Sequence, residues 1–153
     1  MTTTPAATAL SPRERQVLVG LAAGRTLAVI AADLGLGAGT VGGYLKLAKE
    51  KLRGREITSA IARGYATEAI PGPPLLDPKR VILPRGQREL VLLITTGMHA
   101  PQIAAELHLP LANVRDDVRE LLTSVNALNR AHLITRAWQY QILTKELVCK
   151  WLP

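Results

Sequence analysis

The amino-acid sequence predicts an all-α protein built from two four-helix units in tandem, joined by a proline-rich linker. Apolar residues recur at helical spacing in both halves of the chain, and no stretch alternates with the period of two that is typical of a strand. Shifting the sequence by 73 positions aligns residues 10–65 with 83–138 without a gap. Eleven aligned pairs are identical, and because most of them are apolar residues or glycines, they indicate a repeated scaffold.

The boundaries of the predicted domains follow from the linker. Residues 71–78 read PGPPLLDP, with four prolines in eight positions. Since proline cannot continue a helix, this segment is expected to be semi-stiff. We therefore predict a disordered N-terminus at 1–9, a first domain at 10–70, a linker at 71–82, and a second domain with a helical extension at 83–153.

Capping residues and apolar spacing define the four helices of the first half. Ser11 and Glu14 have the spacing of a capping box, with Pro12 at the first helical position. Further boundaries are predicted at Gly24, which ends the first helix, and at Thr26 and Gly35, which begin and end the second. The third and fourth helices carry apolar residues at helical spacing, at Val41, Leu45, Ala48 and Leu52 and at Ile57, Ala60, Ile61 and Tyr65.

The second half repeats this plan, with helices expected near 84–96, 100–108, 111–125 and 129–141. Residues 143–152 extend the last helix or add a short one. The C-terminal region carries more apolar residues than one small domain must bury, so they either complete the core or form a contact with a second chain or partner. The residues proposed for that contact are Leu133, Ala137, Trp138, Tyr140, Leu147, Val148, Trp151 and Leu152.

Composition narrows the class of function. The net charge of +7 favours an anionic partner, nucleic acid first. A single cysteine excludes a disulfide framework and suits a reducing cytoplasm, and no apolar run approaches the length of a membrane span. The N-terminus MTTTPAATAL lacks the basic region of a signal peptide. His99, His108, His132 and Cys149 match no metal-binding spacing, so we expect no metal. We expect no enzymatic activity either, because small helical units seldom provide a catalytic pocket and the glycines at 35–39 lack the flanking residues of a phosphate-binding loop. No cofactor or small-molecule ligand is evident.

Two short helices joined by a turn form the helix-turn-helix pattern. Residues 10–52 resemble the LuxR/GerE-type (FixJ-like) DNA-binding domain in the opening LSPRER, in IAADLG at 30–35, and in Thr40-Val41 and Lys51-Leu52. The second half keeps Gly97, Ile103-Ala104, Leu107, Val114 and Asn129-Arg130. The resemblance implies bacterial transcriptional regulation, with the third helix in the major groove of DNA and the fourth often used for dimerisation. It also implies a cytoplasmic, nucleoid-associated location.

The resemblance and a helical wheel together select the candidate DNA contacts of the first half. The face of the third helix opposite its apolar stripe carries Gly39, Gly43, Lys46, Leu47 and Glu50. The family usually has a Lys-Thr-His-like set where this chain has Gly42, Gly43 and Tyr44, so few side chains are left to read bases. The predicted phosphate contacts are Arg25, Thr26, Lys46, Lys49, Lys51, Arg53 and Arg55, and the residues nearest the bases are Thr40, Gly43 and Tyr44.

On the corresponding face of the second half, the candidate DNA contacts are Arg115 and Arg119. They lie among three carboxylates, at Asp116, Asp117 and Glu120. Three carboxylates beside phosphates are electrostatically unfavourable. We therefore expect the second half to have lost or altered its DNA contact and to serve for interaction or pairing.

Two hypotheses from different classes remain. The first is a transcriptional regulator that binds double-stranded DNA through its first half, either as a homodimer or with another regulator. Only nine residues precede Leu10, so a receiver or ligand-binding domain is not expected before the repeat. The second is a non-catalytic adaptor that has kept the scaffold but lost DNA readout, and that binds another transcription factor or RNA polymerase.

Overall fold

The computed structural model describes residues 9–152, and the regular structure of this part of the chain is entirely helical. The predicted all-α class is confirmed. The predicted disordered N-terminus lies, apart from Ala9, outside the described residues. Nine α-helices and one short 3-10 helix (Pro78–Arg80) occur there: α1 Pro12–Ala22, α2 Leu27–Leu34, α3 Ala38–Leu52, α4 Ile57–Ala66, α5 Arg85–Thr95, α6 Ala100–Leu107, α7 Leu111–Ser124, α8 Arg130–Gln139 and α9 Lys145–Trp151.

The caps predicted for the first half are confirmed. The Ser11 hydroxyl accepts a hydrogen bond from the Glu14 backbone N–H at 3.2 Å, and the Ser11 N–H donates to the Glu14 carboxylate at 2.9 Å. The Thr26 hydroxyl accepts from the Val29 N–H and so caps α2. Gly35 ends α2 in the left-handed conformation, with φ +67°.

The helices of the second half follow those of the first at a constant interval. Helices α1 to α4 contain 11, 8, 15 and 10 residues, and α5 to α8 contain 11, 8, 14 and 10. Each of the second four begins 73 positions after its counterpart. A side-chain contact also recurs, because Arg15 donates to the Leu10 carbonyl and Arg88 to the Leu83 carbonyl, both at 3.3 Å.

The two halves share one hydrophobic core. Helix α4 packs against α5, α8 and α9, and α1 packs against α8. Ile61, Leu133 and Ile134 have no exposed surface in this region. The linker also packs on the second half, since the Leu76 N–H donates to the Gln139 carbonyl at 2.8 Å. The halves are therefore joined by packing as well as by the chain.

Buried hydrogen bonds cross this shared core. The Thr135 hydroxyl donates to the Ala22 carbonyl at 2.7 Å, and its oxygen lies 2.8 Å from the Tyr65 hydroxyl. Because Thr135 has only one hydroxyl proton, Tyr65 is the donor in the second bond. The Thr58 hydroxyl donates to the Ile94 carbonyl at 2.8 Å. These bonds satisfy polar groups that would otherwise be buried without partners.

Glycine is required at two equivalent contacts between the halves. Gly24 and Gly97 have φ values of +91° and +101°, which side chains rarely adopt. A β-carbon at Gly24 would lie 2.9 Å from Leu128 in the second half, and one at Gly97 would lie 2.8 Å from Glu56 in the first. Each position therefore needs glycine both for its backbone conformation and for the close approach of the other half.

The C-terminal apolar residues mostly pack inside this chain. Residues 145–151 form the separate short helix α9 after a turn at Gln141, which has φ +60°. Among the residues proposed for a partner contact, Leu133, Ala137, Tyr140, Val148 and Leu152 are buried, whereas Leu147 and Trp138 are half-buried and Trp138 lies against Tyr65, with ring centroids 5.3 Å apart. Trp151 is exposed. Packing within the chain, in part against α4, covers most of these side chains. The contact with a second chain or partner remains a prediction, to which the exposed Trp151 is open.

We expect Thr135→Val to lower the free energy of unfolding by about 1 to 3 kcal/mol, because it leaves the Tyr65 hydroxyl and the Ala22 carbonyl buried without their partner. Urea unfolding followed by circular dichroism measures this change. Thr123→Val is the matched control, since the exposed Thr123 hydroxyl bonds only within α7. Equal stability of the two variants would contradict the importance of the buried bonds.

Candidate nucleic-acid interface

Helices α2 and α3 form a helix-turn-helix. The chain turns through residues 35–37 and changes direction by 111° between the two helices, within the range of about 90–120° that is typical of this motif. Within residues 9–152 no single helix is long and apolar enough to cross a membrane, and this bent pair is the one combination that reaches the length and hydropathy of a span.

Packing of its apolar face fixes the orientation of α3. Val41, Leu45 and Ala48 are buried, and α3 packs mainly against α1. The opposite face is exposed as the helical wheel predicts, at Gly39, Gly43, Lys46, Leu47 and Glu50. Because its inner face packs on α1, helix α3 exposes its outer face to solvent, where a partner can contact it.

Four cations gather where α3 ends, and we call them the basic end of α3: Lys46, Lys49, Arg53 and Arg55. With Glu50 and Gly54 they line a surface depression of about 350 Å³. Arg53 caps the helix in the left-handed conformation, with φ +57°. Four positive charges beside one carboxylate attract a polyanion. When lysines and arginines neutralise phosphates, the counterions condensed on the nucleic acid are released, and this release favours binding.

Three of the predicted phosphate contacts already have partners within the chain. Arg25 forms an ion pair with Asp33, both partly exposed. Thr26 uses its hydroxyl to cap α2. The Lys51 ammonium lies 2.8 Å from the Glu14 carboxylate. Lys51 is thus held on α1 and differs from the lysines of the basic end.

The Glu14–Lys51 pair links α3 to the capping box of α1. Only 5% of the Glu14 side chain is exposed. Burial by itself raises the pKa of this carboxyl, but the hydrogen bonds from Lys51 and Ser11 outweigh burial, so the pKa is lower than its ordinary value of 4.5. No local pattern predicts this pair, because its two residues lie 37 positions apart in the chain.

The residues predicted to lie nearest the bases offer few side-chain atoms. Thr40 is exposed in the first turn of α3, while Tyr44 is half-buried and packs against the core. A β-carbon at Gly39, Gly42 or Gly43 would meet no atom within 4 Å. Packing therefore does not require glycine there, and the backbone of α3 is open to close approach.

The outer face of α7 carries mixed charge. Arg119 forms an ion pair with Asp116 at 2.9 Å, and both side chains are more than 70% exposed. Arg115 and Glu120 are exposed and Asp117 is half-buried. In contrast to the basic end of α3, these cations lie among carboxylates.

A second depression, not foreseen from the sequence, lies where the halves meet. Its volume is about 390 Å³, and its lining includes the charged residues Lys49, Glu56 and Arg130 together with His99. His99 Nε2 lies 2.6 Å from Glu56 Oε1, and Arg130 donates to the Met98 carbonyl. Burial lowers the pKa of Arg130, with Glu56 opposing the shift. In the described part of the chain no three His, Cys, Asp or Glu residues are grouped to hold a metal ion.

Comparison with known proteins identifies the first half. Residues 8–68 match the family model GerE, described as "Bacterial regulatory proteins, luxR family". This chain therefore carries a LuxR-family helix-turn-helix domain at 8–68, the region that includes α1 to α4. No curated protein and no solved structure matches the chain.

We expect Glu14→Gln to lower the free energy of unfolding by about 1 to 2 kcal/mol at pH 7, because it weakens both the capping box and the bond from Lys51. The carboxylate has a lowered pKa in the fold, so it stabilises the protein above its ordinary pKa, and this contribution is lost as the pH falls through the folded value. Urea unfolding at pH 7 and near pH 3 measures both effects. Glu106→Gln is the control, because Glu106 is an exposed residue of α6. A stability difference between Glu14→Gln and the parent that is independent of pH would contradict this role.

Proposed function

We propose that this protein is a DNA-binding transcription regulator with two LuxR-like helix-turn-helix domains, of which the first inserts α3 into the major groove. The LuxR-family match over residues 8–68 carries the proposal, since domains of this family indicate DNA-binding regulators. The exposed outer face of α3 and its basic end support it. A bacterial, cytoplasmic and nucleoid-associated location is part of the same proposal.

Phosphate contacts supply most of the affinity in this account. The basic end of α3 brings four cations to one side of the helix-turn-helix. If all four contact phosphates, the logarithm of the binding constant falls with the logarithm of salt concentration with a slope of about −3.6. Lys51 acts differently, as a positioning residue that ties α3 to Glu14.

Base readout is correspondingly limited. Thr40 and Tyr44 are the side chains nearest the bases, and Gly43 lets the helix backbone approach the groove. Each good bidentate contact to a base contributes about 1–3 kcal/mol of discrimination, and neither residue is of the type that makes such contacts. We therefore propose a regulator with modest sequence preference and strong dependence on salt.

The second half is proposed to be a divergent copy that pairs with the first inside one chain. Tyr65 and Trp138 occupy equivalent positions and contact each other, as equivalent residues do near a two-fold axis. The contacts of α1 with α8 and of α4 with α5 are likewise equivalent. The constant interval of 73 residues between helices supports the same interpretation. A further homodimer would then need a surface other than these buried helices.

An adaptor that binds another regulator or RNA polymerase is the second candidate. Leu47 favours it, because this apolar side chain is 45% exposed on the outer face of α3. The basic end of α3 favours DNA, and it separates the two candidates experimentally.

We expect Lys46→Glu/Lys49→Glu to weaken binding to a 20-base-pair random duplex at least tenfold, because it replaces two phosphate contacts with repulsion. The magnitude of the salt slope should fall by about 1.8. Fluorescence anisotropy across a salt series measures both quantities. Lys79→Glu/Arg80→Glu in the exposed 3-10 helix makes the same charge change away from α3.

Equal loss of affinity in the two double variants would mean that net charge alone attracts DNA and would contradict docking of α3. Absence of binding by the parent protein at low salt would overturn the DNA proposal and favour the adaptor. In that case the exposed Leu47 and Trp151 become the positions to test against candidate protein partners, as Leu47→Glu and Trp151→Ala.

A further inference from the structure

The second half contains a groove between α5, the end of α6 and α7, which we call the α5–α7 groove. Its volume is about 500 Å³. Leu90 and Val114 form a buried apolar floor, and Leu107 and Leu109 continue it towards the surface, where Leu109 is 39% exposed. The floor is thus wide enough for one or two apolar side chains from another molecule.

The rim of the α5–α7 groove is acidic. Glu89, Asp117 and Glu120 line it, and its lining residues include no lysine or arginine. The chain as a whole has a net charge of +7, so this concentration of carboxylates opposes the general trend. A polyanion is disfavoured here, whereas a cationic ligand gains from charge complementarity.

The first half shows how this groove arose. The positions equivalent to Glu89, Asp117 and Glu120, 73 residues earlier, are Gln16, Tyr44 and Leu47, none of which is charged. Tyr44 is half-buried and packs against the core of the first half. An aspartate in its place gives the second half both space and negative charge.

Gln87, which also lines the groove, differs from its counterpart in the first half. Its buried Oε1 atom has no hydrogen-bond donor among residues 9–152. Its counterpart Glu14 is held by Lys51, but the residue equivalent to Lys51 is Ser124. A buried acceptor without a donor is unfavourable, so this position lacks the stabilising contact that Lys51 gives to Glu14 in the first half.

We infer that the α5–α7 groove binds a basic amphipathic segment of a partner protein. An apolar side chain of the segment lies on the Leu90–Leu109 floor, and flanking lysines or arginines pair with Asp117 and Glu120. This inference rests on the proposal that the second half is a divergent copy, and it does not depend on DNA binding by α3.

The test selects ligands from a yeast-displayed library of random twelve-residue peptides with the full chain as bait. We expect enriched peptides to carry lysine or arginine on both sides of a leucine or an aromatic residue. The best of them is then synthesised, and its affinity for each variant is measured by fluorescence anisotropy. Asp117→Tyr/Glu120→Leu, which restores the residues of the first half, should weaken binding at least tenfold.

Two controls make the test specific. Glu68→Gln/Glu146→Gln removes two exposed carboxylates that do not line the groove and should bind the peptide like the parent protein. Lys46→Glu/Lys49→Glu should keep peptide binding while losing DNA, which separates failure of this inference from failure of the DNA proposal. Thermal unfolding verifies that each variant is folded.

Four results would overturn the inference. The first is enrichment of acidic peptides, or of none. The second is equal peptide affinity of Asp117→Tyr/Glu120→Leu and the parent. The third is self-association of the parent protein in sedimentation experiments that is lost in both Asp117→Tyr/Glu120→Leu and Lys46→Glu/Lys49→Glu. That result would assign the groove to a second copy of the chain. The fourth is a gain of DNA affinity in Asp117→Tyr/Glu120→Leu without loss of the peptide, which would place α7 beside DNA.

Discussion

The packing of α4 against α8 is the constraint on which the rest of the structure depends. Tyr65 and Thr135 meet across it, and Thr135 carries the contact on to the end of α1 through the Ala22 carbonyl. Helix α1 in turn supports α3 through Val41 and Ala48 and through the Glu14–Lys51 bond. The orientation of the candidate recognition helix thus depends on contacts that the second half helps to make.

The same scaffold presents different surfaces in the two halves. Core positions are similar, since Val41 and Val114 are both buried beneath the third helix of their half. The outer positions diverge, from the basic end of α3 to the acidic rim of the α5–α7 groove. Burial constrains residue type far more than exposure does, because volume changes in a packed core are costly. Surface charge therefore differs between the halves, while the lengths of corresponding helices agree to within one residue.

Local signals were sufficient for most of the fold. The capping box at Ser11, the glycine at 35 and the apolar spacing of α3 each act within a few residues, so the helices could be predicted from the sequence. Two features depend on residues far apart in the chain: the Glu14–Lys51 bond and the depression lined by Glu56 and His99. No periodicity encodes such contacts. The apolar residues of α9 were ambiguous for a similar reason, because hydrophobicity does not specify whether the same chain or another one covers them.

Nuclear magnetic resonance of the labelled full chain tests most directly whether α3 is the surface that contacts DNA. A random duplex is titrated into the protein at low salt, and the chemical shifts of the backbone amides are followed. If α3 docks on DNA, shift changes concentrate in α3, in the turn before it and at Arg53 and Arg55, and α7 is little affected. Shifts confined to α7, or spread evenly over every basic residue including Lys79 and Arg80, would contradict it.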